Sequence, residues 1–127
     1  MQLSEHFSEE EFLRSETAKK YRINNTWELK KYKDNAIYLC KNVLDPLRER
    51  FGRIRITSGY RCPALNNKVG GKKDSTHLTG RAADIFPLDV SLNELWQYVK
   101  VHHKGGKAIK LEQFVHIDTG SDRTWEY

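Results

Sequence analysis

Residues Ser58–Asp84 read SGYRCPALNNKVGGKKDSTHLTGRAAD, and the rest of the chain is organised around this stretch. Within it, Ser75-Thr-His77-Leu-Thr-Gly80-Arg-Ala82-Ala-Asp84 sets a histidine and an aspartate seven residues apart with small residues between them. A third candidate ligand follows at His116, in Phe-Val-His116-Ile-Asp118. Two imidazoles and one carboxylate are what a catalytic zinc site uses, because three protein ligands leave a fourth position open for water, whereas structural zinc sites fill all four, mostly with thiolates. The two cysteines, Cys40 and Cys62, form no CxxC pair. Any zinc held by this chain is therefore expected to be catalytic. Taken one at a time, His77 and His116 read as ordinary polar residues and Asp84 as a turn cap; their surroundings argue for more.

Working outward from this stretch, Arg53-Ile-Arg-Ile-Thr57 alternates polar and apolar residues at the period of a half-buried strand and delivers Ser58–Arg61 to its end. Pro63, Gly70 and Gly71 mark a loop with a short helical turn over Ala64–Lys68, and Arg81–Phe86 reads as a second strand. That places Asp84 on a strand and His77 on the approach to it. Upstream, Ser8-Glu-Glu-Glu11 has the capping-box pattern, with Phe7, Phe12 and Leu13 to pack inward. Asn25 or Thr26 is then expected to cap a long helix whose apolar positions, among them Leu29, Ala36, Cys40, Leu44 and Leu47, follow one buried face. Pro46 should kink that helix near Leu44-Asp45 or end it early before Phe51-Gly52. Cys40 falls on the buried stripe.

Downstream, Ser91-Leu-Asn-Glu94 repeats the capping-box pattern and opens a helix to about His103, stopped by Gly105-Gly106. Lys107–Leu111 and Phe114–Asp118 read as adjacent strands, followed by a polar tail, Thr119–Tyr127, that carries Trp125. The expected fold is α+β, a small and mostly antiparallel sheet covered on one face by helices.

At 127 residues the expectation is one domain spanning 1–127, large enough for a hydrophobic core without disulfides. The 22 basic and 17 acidic residues give a net charge of +5, which favours anionic partners without choosing among them. Basic residues gather at Lys30-Lys31, Lys72-Lys73 and Lys100–Lys110 and read as solvated faces; no nucleic-acid-binding motif accompanies them. No run of about 18 apolar residues suggests membrane insertion. The start MQLSEHFSEEEF lacks the basic and apolar regions of a signal peptide. On that reading the chain is a phage or prophage product, or an exported protein expressed without its signal.

S-G-Y-R-x-P-x-x-N, then S-x-H-x-x-G-x-A-x-D, then F-V-H-I-D, in this order, resemble the zinc D-Ala-D-Ala carboxypeptidases of peptidase family M15, over roughly Phe7–Trp125. The resemblance implies a hedgehog/DD-peptidase fold and one Zn²⁺ per chain held by His77, Asp84 and His116. It also implies hydrolysis of peptide bonds in bacterial cell-wall peptidoglycan through a zinc-activated water, as a D-Ala-D-Ala carboxypeptidase or a murein endopeptidase of the endolysin type. The partners implied are stem peptides or their cross-links, met by a monomer acting at the cell wall. Arg61 occupies the position of the family's substrate-binding arginine, and a guanidinium can grip a carboxylate with two parallel hydrogen bonds. A structural Arg paired with a turn carbonyl is the plainer alternative.

The general base departs from the family pattern. Members usually place Asp or Glu three residues before the last zinc histidine, and here that position is Gln113, which accepts no proton at neutral pH. Glu112 and Asp118 are the two candidates. Strict strand alternation would put both on the face of His116, at roughly 13 Å and 7 Å of rise. Asp118 also fits a carboxylate hydrogen-bonded to a ligand imidazole. His6, His102 and His103 match no zinc spacing. Two functions follow: a zinc metallopeptidase, or a catalytically inactive zinc-binding module that binds wall peptides or a protein partner, as the glutamine at position 113 permits.

Overall fold

A computed structural model describes residues 1–127. The capping box at Ser8 forms as its pattern predicts: Ser8 Oγ accepts from the Glu11 N–H at 3.1 Å and the Glu11 carboxylate accepts from the Ser8 N–H at 3.0 Å. It opens α1 (Glu9–Leu13), which buries Phe12. A second short helix, α2 (Glu16–Lys20), is capped by Ser15; five residues are too few to show a helical period, so it is not legible in the sequence.

The long helix of the central segment is built in three consecutive pieces: α3 (Lys30–Leu39), one wide π-helical turn over Cys40–Leu44, and α4 (Asp45–Phe51). Pro46 has no N–H and its ring crowds the carbonyl four residues back. The wide turn, closed by the Asp45 N–H on the Cys40 carbonyl, lies immediately ahead of the proline and relieves this misfit, so the helix continues to Phe51. The cap expected at Asn25 or Thr26 is not used, and the helix starts after Leu29 with no side-chain cap. Asn25 is engaged elsewhere: its Nδ2 donates to the carbonyls of Leu13 and Tyr60 and its Oδ1 accepts from the Cys62 N–H. That amide ties the start of the Ser58–Asp84 stretch to the N-terminal helices.

Strands β1 (Ile54–Ser58), β2 (Ala82–Pro87), β3 (Gly106–Lys110), β4 (Phe114–Asp118) and β5 (Arg123–Glu126) form one sheet in the order β1-β2-β4-β3-β5. Its pairings are antiparallel except for β3 with β5. Helix α5 (Pro63–Lys68) follows β1, and α6 (Leu92–His102) connects β2 to β3. The fold is α+β, as the sequence predicts. β5 is the addition: Thr119–Tyr127 reads as a polar tail because a four-residue edge strand with mostly exposed side chains carries no hydrophobic alternation.

The register gives the sheet two different faces. Ile56, Ile85, Val115 and Ile109 are direct cross-strand neighbours on β1, β2, β4 and β3. They share one apolar core with Leu39, Cys40 and Leu44 of the long helix and with Leu95 and Val99 of α6. The next row, offset by one residue, runs Ser58, Asp84, His116, Ala108 and Trp125 across all five strands. Because side chains alternate between faces, that row points away from the core. No helix is long and apolar enough to cross a membrane.

Cys40 is fully buried in the core and Cys62 is half-buried at the start of α5; neither is disulfide-bonded. Burial pushes the Cys40 thiol up to about 12. A thiol reagent at mildly alkaline pH should therefore modify Cys62 in the native protein and Cys40 only after unfolding, with two free thiols counted in denaturant without reductant. Equal rates for both in the native state would contradict this packing.

Candidate metal centre

Asp84 on β2 and His116 on β4 are cross-strand partners, and Asp84 Oδ1 lies 2.8 Å from His116 Nδ1. His77 arrives on a single 3₁₀ turn, Thr76–Thr79, whose cap is Ser75. Two bonds fasten that turn to the end of β1: the Arg61 N–H donates to the His77 carbonyl at 3.1 Å, and His77 Nδ1–H donates to the Gly59 carbonyl at 2.7 Å. A carbonyl only accepts, so the proton of a neutral His77 sits on Nδ1 and Nε2 carries the lone pair. That Nε2 is buried without a hydrogen-bond partner, 3.3 Å from Asp84 Oδ1. The three residues singled out in the sequence are thus brought together, all buried, with one ligand atom from each within 4.8 Å of the others.

His116 stands between two carboxylates, with Nε2 2.8 Å from Asp118 Oδ2 and Nδ1 2.8 Å from Asp84 Oδ1. In the neutral ring with its proton on Nε2, toward Asp118, Nδ1 turns its lone pair to Asp84. In that tautomer three electron-pair donors, His77 Nε2, Asp84 Oδ1 and His116 Nδ1, converge and could hold a cation. Two imidazole nitrogens and one carboxylate oxygen, with no fourth protein ligand, fit an open zinc site. Burial alone would raise the Asp84 carboxyl, but the adjoining imidazoles outweigh it and hold the group well below the usual carboxylate range. His116 shows the opposite balance: burial works against its charged form, and the hydrogen bonds to Asp118 and Asp84 more than compensate, raising it.

Asp118 has no exposed surface. Besides His116, its oxygens accept from the N–H groups of Gly106 at 3.1 Å and Gly120 at 2.9 Å, from Thr76 Oγ1 at 3.3 Å, and from both Arg123 terminal nitrogens at 3.3 Å and 3.0 Å. Burial favours its neutral form, yet the bonds from His116, Gly120 and Arg123 prevail and hold it far below the ordinary range. A side chain at position 106 would collide with both Asp118 oxygens, so a glycine is required for this close approach. In the sequence Gly105-Gly106 reads only as a helix stop. His103, which matched no ligand spacing, donates from Nε2 to the Asp118 backbone carbonyl at 2.7 Å and steadies the end of β4.

The candidate bases are placed very differently. Asp118 lies on the face of His116, as alternation predicts. Glu112 does not belong to the strand: β4 begins at Phe114, and Glu112 occupies the exposed turn after β3 with φ +67. Alternation stops short of it. Gln113 is exposed on the same turn.

Over the cluster opens a cavity of about 750 Å³, whose walls include Arg61, Asp74, Trp125 and Tyr127. This volume lies within the range of small-molecule and peptide sites. Trp125 reaches the cavity because β5 sets it in the same cross-strand row as His116, with ring centroids 5.2 Å apart. With Trp125 the one half-buried side chain of a mostly exposed strand, no alternation in the sequence marked this placement.

A sequence profile described as Peptidase M15 matches residues 5–118. The chain is also similar to a curated protein of Haemophilus influenzae named "Probable peptidoglycan L,D-endopeptidase MepK", at 28% identity over 111 residues, covering 83% of this chain and 60% of that protein. The chain thus spans less than two thirds of the length of that relative.

Removing the Asp118 carboxylate would strand a buried imidazole N–H and two backbone N–H groups. Asp118→Ala is expected to lower the unfolding free energy of the metal-free protein by roughly 3–5 kcal/mol, the usual cost of breaking a buried charged network. Arg123→Ala, at the rim, should cost about 1 kcal/mol. Denaturant titration measures both, and equal losses would show that the network is less buried than described.

Proposed function

Because the chain belongs to the peptidase M15 family, we propose that it is a zinc metallopeptidase that hydrolyses peptide bonds in bacterial cell-wall peptidoglycan. In this reading one domain over residues 1–127 acts as a monomer at the wall, on stem peptides or their cross-links. The observation that carries it is the convergence of His77 Nε2, Asp84 Oδ1 and His116 Nδ1 beneath a cavity walled by Arg61. The name of the Haemophilus influenzae relative supports an endopeptidase over a carboxypeptidase.

His77, Asp84 and His116 would hold one Zn²⁺. When bound, zinc supplies an acidified water and a Lewis acid that polarises an amide carbonyl. Around it the protein's own groups divide the remaining work. Arg61 on the cavity wall grips a substrate carboxylate. Asp118 acts through His116, fixing its tautomer and ring orientation; with both oxygens saturated by donors inside the protein, it is assigned this role in preference to that of the base. The proton acceptor is sought in Asp74, on the cavity wall, and Glu112, on the neighbouring turn. Trp125 and Tyr127 close one side and reduce water access.

A specific observation favours the second reading, an inactive zinc-binding module: neither Glu112 nor Gln113 lines the cavity. Hydrolysis of purified peptidoglycan with and without chelator decides between them. Chelator-sensitive release of stem-peptide fragments is the expected result; tight zinc with no release from any wall fragment would establish the module.

Metal analysis should give about one zinc per chain, largely lost in His77→Ala. Asp118→Asn is expected to weaken zinc binding by about 10–100-fold, as loss of a carboxylate behind a ligand histidine does. Full zinc occupancy in His77→Ala would show the ligand set to be misassigned.

Asp74→Asn and Glu112→Gln identify the base by comparison: the variant lacking it should lose about 10²–10⁴-fold in kcat with zinc content intact. Wild-type rates for both, and for the double variant, would remove both carboxylates from the mechanism.

A further inference from the structure

Asn66 is polar yet only 4% exposed, and both ends of its amide are used. Oδ1 accepts from Arg61 Nη1 at 3.1 Å and Nδ2 donates to the Lys72 carbonyl at 2.8 Å. Its backbone carbonyl accepts from the Gly71 N–H at 2.9 Å. Pro63 opens α5 two residues after Arg61, and the first turn of that helix carries Asn66 back to the guanidinium. Gly71 closes the arrangement from the other side. A Cβ there would run into Asn66 Oδ1 and stand 2.7 Å from Arg61 Nη1, so the loop lies directly against the pair with no space for a side chain. Arg61, Gly71 and Lys72 all line the cavity.

We propose that Asn66 is the positioning residue of Arg61, holding its guanidinium at the cavity wall through a neutral acceptor so that its charge stays available to a ligand carboxylate. This rests on the reading of Arg61 as the carboxylate anchor. An arginine on a free stem loses rotamer freedom when it is fixed; one already held by Asn66 has lost it before the ligand arrives. The chemical identity of the holder matters. A carboxylate at this position would pair with the guanidinium and compete with the ligand, whereas an amide oxygen orients it without neutralising it. The Asn66 bond is the one side-chain hydrogen bond Arg61 makes. Cost and direction agree with a site built to receive an anion.

The test compares a synthetic stem peptide bearing its free carboxylates with the same peptide fully amidated, on zinc-loaded wild type, Arg61→Ala, Asn66→Ala and Gly71→Ala. KM is the readout, or Kd where no cleavage occurs. Wild type should prefer the carboxylate form by roughly 10–100-fold, the worth of a charged hydrogen-bonded pair, and Arg61→Ala should abolish the preference. Asn66→Ala and Gly71→Ala should each lower it about tenfold or more, raising KM for the carboxylate peptide far more than for the amidated one, with zinc content at the wild-type value. Damage that was merely structural would weaken both peptides alike, and that result overturns the proposal. So does a wild-type preference in both variants when Arg61→Ala has lost it, with the anchor reading left standing. A preference retained by Arg61→Ala overturns the anchor reading and this inference together. Should Asn66→Ala fail to fold, Gly71→Ala gives the same reading with Asn66 in place.

Discussion

The carboxylate of Asp118 is the constraint on which the polar half of the molecule depends. An anion with no exposed surface costs several kcal/mol to bury unless it is paired and fully hydrogen-bonded. Here the donors come from five separate segments: Thr76 on the 3₁₀ turn, Gly106 at the start of β3, His116 on β4, Gly120 in the turn that follows, and Arg123 on β5. Ile109, Val115 and Ile117 seat β3 and β4 in the core, but the 3₁₀ turn, the turn at Gly120 and β5 add no side chain to it. The carboxylate therefore gathers them, and it offers His116 Nε2 an acceptor. With the proton on that nitrogen, Nδ1 is left for a cation.

The sheet makes the arrangement affordable by keeping its two faces distinct. Ile56, Ile85, Val115 and Ile109 bury one row beneath the long helix and α6. The adjacent row carries Ser58, Asp84, His116 and Trp125 to the other side. A shift of one residue in the register of β2 or β4 would exchange the rows, driving a carboxylate and an imidazole into the apolar core. The hydrophobic demand of the helical face thus fixes the register that aligns Asp84 with His116, and the polar pair needs no separate device to find one another.

Much of this was legible in the sequence, and the omissions have a common origin. The alternation around Arg53–Thr57, the capping box at Ser8, the serine cap at Ser91 and the apolar stripe through Cys40 each express a local rule in adjacent residues, and these elements form, although the long helix begins at Lys30 and leaves Leu29, read on its buried face, outside it and exposed. His77, Asp84 and His116 were found through ordered motifs. What could not be read depends on partners distant in the chain. Asn25 looks like a helix cap but holds Leu13, Tyr60 and Cys62; Gly106 looks like a stop but makes room for Asp118; β5 is a strand because β3 pairs with it, its own side chains showing no alternation. Glu112 illustrates the reverse error, where a local rule was extended past the end of the strand that justified it. The π-turn ahead of Pro46 lies between these cases: the sequence located the disturbance, and the packing of Cys40 and Leu44 in the core selected a widened turn over a break.

The segment from Gly59 to His77 joins the two kinds of chemistry in the cavity. Its ends are stitched reciprocally, the Arg61 N–H to the His77 carbonyl and the His77 imidazole to the Gly59 carbonyl, and Asn25 pins its start. The backbone of Arg61 and the imidazole of His77 are therefore parts of one unit, and under the proposed function that unit sets where the anchor stands relative to the cluster. The net charge of +5 could not distinguish one anionic partner from another. Arg61, Lys72 and Arg123 bring part of that charge to the walls of a cavity that ends at His77 and His116, where Asp74 and Asp84 oppose it. Under the proposed function, a ligand that presents a carboxylate to Arg61 has its neighbouring groups carried toward the imidazoles, so that one contact serves both binding and alignment.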